Sequence, residues 1–119
     1  MIIVFADDQT VAVLPDITSV RRECEAVDVE DGVYSFFDEL GRSLVPRFTA
    51  PVKRASLLCG AIKSVEGGSF ELERDPLDDG SAFERSLANA VAIEPNRRFR
   101  TIADLARHVA EKRRAQSEL

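Results

Sequence analysis

The period of the apolar residues changes along this chain, and that change limits the architectures open to it. Up to Glu73 they fall in short runs rich in Val, Ile and Phe, punctuated by Gly, Pro and Asp. From Ser81 onward they recur every three or four residues. The first pattern suits strands and the second suits helices. Hairpin strands followed by grouped helices predict an α+β fold. The expected architecture is a mostly antiparallel sheet of about six strands, with one short helix after the first hairpin and two C-terminal helices packed on the sheet. The 119 residues fit a single α+β domain spanning 1–119, since one core serves chains of about 100–150 residues.

Ile2 to Ala6 and Thr10 to Leu14 flank Asp7-Asp8-Gln9 and read as a hairpin, with Pro15 ending its second strand. Asp16 can cap a helix over Ile17 to Val27, whose stripe is Ile17, Val20, Cys24 and Val27. Val33 to Phe37 and Leu44 to Thr49 read as strands joined by a turn at Asp38-Glu39-Leu40-Gly41-Arg42. Pro46 implies an edge or a bulge, and Pro51 marks the expected exit. Ser56 to Val65 is apolar on both parities and is expected centrally in the sheet. Glu66-Gly67-Gly68 reads as a turn before a strand at Ser69 to Glu73, with Phe70 and Leu72 inward. Ser81 and Glu84 match a capping box for a helix burying Phe83, Leu87, Ala90 and Val91. Thr101 caps a last helix burying Ile102, Leu105, Ala106 and Val109.

Motifs for catalysis and for cofactors are absent from this reading. His108 is the only histidine, and no nucleophile is paired with it in sequence. It reads as a solvated helix residue. One His and the distant Cys24 and Cys59 do not form a metal-ligand set. Asp28 to Gly32 lacks the alternating ligands of a calcium loop. Gly67-Gly68 and Gly80-Ser81 lack the spacing of phosphate loops. No catalytic residue, no cofactor and no metal are therefore expected.

Charge is more informative. The net charge is -5, which argues against a coat for nucleic acid or anionic membrane. That figure is a residual of two poles, -9 up to Asn96 and +4 beyond it. Between Glu23 and Glu39 stand seven acids and no Lys or Arg. The last helix either neutralises this acidic body within one molecule or meets it in another. Thr101 to Ala106 is similar to the entry helix of a helix-turn-helix, but no recognition helix follows. The N-terminal run is too short, and lacks the basic flank, for a signal peptide. No run approaches the roughly 18–20 apolar residues of a membrane span. A cytoplasmic protein is expected.

The segment Asp28-Val29-Glu30-Asp31-Gly32-Val33-Tyr34, then Phe37-Asp38-Glu39-Leu40-Gly41-Arg42-Ser43-Leu44, resembles a set of small bacterial α+β proteins. They carry a helix, a DVxxGxY step and an FDxxGRxL hairpin, and they are loosely immunity-protein-like. The match covers about a third of the chain, and its motifs are structural, built on turn glycines. The resemblance implies a non-enzymatic inhibitor that works by binding. The charge pattern, independently of the resemblance, points to an acidic surface at Glu30, Asp31, Asp38 and Glu39 facing a basic protein partner. The alternatives are an accessory protein acting as a homodimer, or a small enzyme with a pocket between sheet and helices.

Overall fold

The run Ile2-Ile3-Val4-Phe5-Ala6 has no polar face, and such a strand needs cover on both sides. The computed structural model, which describes residues 1–56 and 63–118, supplies that cover. β1 (Ile2–Ala6) lies between β2 (Thr10–Leu14) and β3 (Tyr34–Asp38). β4 (Ser43–Ser56), β5 (Lys63–Arg74) and β6 (Ala92–Ile93) complete a six-stranded sheet in the order β5-β4-β3-β1-β2-β6. Every pairing is antiparallel except that of β2 with β6.

Successive side chains of a strand point to opposite faces. Ile3 and Phe5 therefore join Val11 and Phe37 on one face, beneath α3 (Ala82–Asn89) and α4 (Ile102–Ser117). Those helices contribute Phe83, Leu105 and Val109, and Phe99 closes the cluster from the connection between them. The rings of Phe5, Phe37 and Phe83 meet edge to face, at centroid separations of 5.6, 5.9 and 5.4 Å. Val4 joins Phe36 and Phe70 on the other face, beneath α1 (Ile17–Glu23) and α2 (Ala26–Glu30). Val20, Cys24 and Val29 are the buried residues from that side. The result is an α+β molecule of three layers, with two apolar clusters separated by the sheet.

The structure bears out the fold class, the first hairpin, the inward Phe70 and Leu72, and the Thr101 cap, whose Oγ1 accepts from the Asp104 N–H at 3.1 Å. It corrects other expectations. The helix expected over Ile17 to Val27 is two helices, because Cys24 and Glu25 are extended, at φ -114°, ψ 111° and φ -65°, ψ 138°. The break lets Cys24 and Val29 enter the core and leaves Val27 half-buried. Ser81 forms no capping box: its backbone is already helical and its hydroxyl donates to Asp79. Glu84 is taken by Arg113. Val91 is not on a helix face but exposed beside β6, a strand of two residues with no sequence signature.

Pro51 does not end β4, which continues to Ser56. β3 pairs with β4 only at Ser43 and Leu44. Farther along, β4 has no strand on that side among the described residues, so prolines are tolerated. Gly67 and Gly68 are not a turn but lie inside β5, with φ of 72° and 87°. Residues 57–62 of the expected central strand lie outside the described residues. Its flanks belong to two strands, since Ser56 pairs with Lys63, and β5 stands last in the sheet order. The β4–β5 pairing thus runs as an arm well past β3. α2 braces it: a Cβ on Gly68 would stand 2.8 Å from the Ala26 Cβ. The arm makes the molecule long, 59 × 28 × 23 Å, with a Cα radius of gyration of 16.1 Å, against about 13.5 Å for a compact chain of this length. Among the described residues, no helix is long and apolar enough to cross a membrane.

Candidate functional site

The four acids singled out from sequence do not share one face. Asp38 ends β3 and Glu39 follows it, whereas Glu30 and Asp31 precede the strand at the end of α2. Asp38 holds its own turn together, accepting from the N–H of Leu40 at 2.9 Å, the N–H of Arg42 at 3.0 Å and Arg42 Nε at 2.6 Å. Glu39 binds His108 Nε2 at 2.8 Å and Arg98 Nη2 at 3.2 Å. His108 bonding and the Arg98 contact hold its carboxyl below the usual value despite some burial. Arg113 adds bonds to the carbonyls of Leu40 at 2.6 Å and Gly41 at 3.2 Å. The basic last helix therefore neutralises this acidic turn within one molecule. His108 is correspondingly a seam residue, 22% exposed and 5.1 Å from the Phe99 ring, rather than the solvated residue expected. Glu30 and Asp31 each carry an interaction of their own.

On the opposite face a cleft of about 330 Å³ opens beside the end of α1. Its floor is the even-numbered face of the first strands: Val4, Ala6, Ala12 and Leu14. Val4 stands opposite Ala12, and Ala6 opposite Tyr34. The small alanines leave a recess that a larger residue would fill. Cys24 and Glu23 form one wall from the end of α1, and Glu94 and Pro95 form another after β6. The backbone N–H of Glu94 is fixed on the Val11 carbonyl at 2.8 Å.

The charged residues that line this cleft, Glu23 and Glu94, are both acidic. Cys24 is 4% exposed. Burial first, then Glu23, Glu94 and Asp28, push its thiol up to about 11. It stays protonated at neutral pH and is no nucleophile. Burial raises the Tyr34 hydroxyl too, reinforced by Cys24, Asp28, Glu25 and Asp7. Among the described residues no Lys or Arg pairs with Glu25, Asp28 or Glu94, and Glu23 meets only the exposed Arg22, at 3.5 Å. Burial is the larger cause for both groups, and the nearby carboxylates add to it in the same direction. Such a site attracts cations and repels phosphate or carboxylate ligands.

Sequence reasoning did not single out Glu23, Tyr34 or Glu94 as site residues, nor the Ala6–Ala12 recess. One signal was present: Ala6, Thr10 and Ala12 are small residues on matching parity of a hairpin otherwise made of large apolar ones. Glu94 carried none, because the two-residue strand that places it could not be seen. Among the described residues, no group of three or more His, Cys, Asp or Glu is placed to hold a metal ion. No protein-family model matches the chain, and neither a curated protein nor a solved structure matches it.

Proposed function

We propose that the protein is a non-enzymatic binding module, of immunity type, that presents the acidic face of α1, α2 and the adjoining cleft to a basic protein partner in the cytoplasm. The observation that carries this reading is the set of carboxylates around Cys24 and Tyr34, Glu23, Glu25, Asp28 and Glu94, left without a strong internal cation. The acids of the β3–β4 turn are satisfied internally, so the proposed face lies at the other end of β3, on the side that includes Glu30 and Asp31. An acidic surface of this kind speeds encounter with a basic partner and rejects acidic ones.

The test is affinity capture from the native host at low salt, followed by calorimetry on the purified partner. The expected partner is basic, and its affinity falls steeply with salt. Replacing Glu23, Glu25 and Asp28 by their amides is expected to weaken binding at least about tenfold. Amide replacement at the exposed Glu111 and Glu118 of α4 and its C-cap is expected to leave binding unchanged. An acidic partner, or equal loss from both variants, contradicts the reading, as does the failure to capture any partner.

A second reading, a homodimer, draws on β5, which pairs only with β4 among the described residues and so offers an outer edge for another strand. Sedimentation at several concentrations decides it: a mass independent of concentration and equal to 13.2 kDa removes the dimer.

A further inference from the structure

The cleft has a narrower property than the face around it. Its floor is mostly apolar, and an acidic residue lines it from each of two elements, Glu23 at the end of α1 and Glu94 beyond β6. A lysine or arginine side chain has the same division, an aliphatic stem and a cationic head. Cys24 lines the cleft with its thiol buried and without a hydrogen-bond partner among the described residues. Tyr34 adds an aromatic ring at the same recess, which also favours a cation. Arg22, the nearest basic neighbour in sequence, stays outside with Glu23 in an exposed pair.

Resting on the binding reading above, we infer that this cleft is the socket for one lysine or arginine side chain of the basic partner. The stem lies over Val4, Ala12 and Leu14, and the head sits between Glu23 and Glu94. Buried anchor residues of this type carry a disproportionate share of binding energy, while the surrounding face supplies steering. A neutral apolar side chain would fill the recess but leave Glu94 unanswered.

The experiment is an amide chemical-shift titration of the full chain with Nα-acetyl-lysine amide, and in parallel with Nα-acetyl-norleucine amide, which keeps the stem and lacks the charge. Saturable shifts at Thr10, Ala12, Cys24 and Tyr34 are expected with the lysine probe alone. Glu94→Gln is expected to weaken them at least about fivefold, and Ala12→Leu to abolish them by filling the recess. Should Ala12→Leu disturb the fold, the exposed Glu94→Gln still decides. Equal shifts with norleucine, no saturable shifts, or indifference to Glu94→Gln overturn the socket. Calorimetry with the captured partner separates the two claims. If Glu94→Gln leaves its affinity unchanged while the Glu25→Gln, Asp28→Asn double variant weakens it, the face stands and the socket falls. If the double variant binds as wild type, the face itself is wrong, whatever the titration shows. A free alkyl diamine that binds more tightly than the partner would also overturn the assignment to a protein side chain.

Discussion

Gly41 and Arg113 show how much of the molecule depends on single side chains. Gly41 has φ of 71°, and a Cβ there would stand 2.5 Å from Arg113 Nη2 and 3.0 Å from the Phe83 ring. Gly41→Ala therefore combines a left-handed backbone with a clash, and a loss above about 1 kcal/mol is expected in urea melts. An unchanged midpoint would contradict the close approach. Arg113 spans the carbonyls of Leu40 and Gly41, the Glu84 carboxylate and the Phe83 ring, whose centroid is 5.4 Å away. Arg113→Lys should not restore what Arg113→Ala loses, because an ammonium cannot span the same fork. Glu39 adds a pH dependence. Its folded value is depressed, so the stability it contributes is present above the unfolded value and lost as pH falls through the folded one. The gap between wild type and Glu39→Gln should shrink as the pH drops below about 4.3, a trend that melts at stepped pH would check. The importance of Gly41 was legible as a turn residue in sequence. The Glu39–His108 bond was not, because its two residues are 69 positions apart.

Among the elements, the arm of β4 and β5 departs furthest from expectation. Sequence reasoning took Pro51 and Gly67-Gly68 for chain breaks, since both residue types normally end strands. They are instead near neighbours on the two strands of the arm, beyond the reach of β3, where a ladder can absorb them. The lost information was which strand had a neighbour, and local composition does not carry it. α2 fixes the arm through the close approach at Gly68, where a Cβ would meet the Val52 Cγ2 at 2.7 Å and the Ala26 Cβ at 2.8 Å. Gly68→Ala should therefore loosen the arm selectively. Amide exchange is expected to accelerate at Val52 and Ser69 with little change at Val4 and Phe37, and uniform acceleration throughout the sheet would contradict a local brace. Legible features were those set by period and cap. The Thr101 cap and the Leu105–Val109 stripe need only four to eight consecutive residues, and both are present. The break at Cys24–Glu25 was hidden because Cys24 suits a buried site on either side of it.

On the scale of the whole molecule, the sheet separates two chemistries. The last helix and its approach spend Arg98 and Arg113 on the acidic β3–β4 turn and on Glu84. The carboxylates of α1 and α2 lie in the layer across the sheet, beyond that compensation. The net charge of -5 is thus uneven in space as well as in sequence. Small-angle scattering should return a radius of gyration near 16 Å rather than the roughly 13.5 Å of a compact chain, and the smaller value would mean that the arm folds back. The proposed binding surface is the α1–α2 face and its cleft. The most direct measurement is hydrogen exchange on the complex with the captured partner. Slowed exchange at Thr10 to Leu14, Cys24 and Ala26 to Asp31, with α4 unchanged, is the predicted footprint. Protection confined to α4 and the Asp38–Arg42 turn would contradict it.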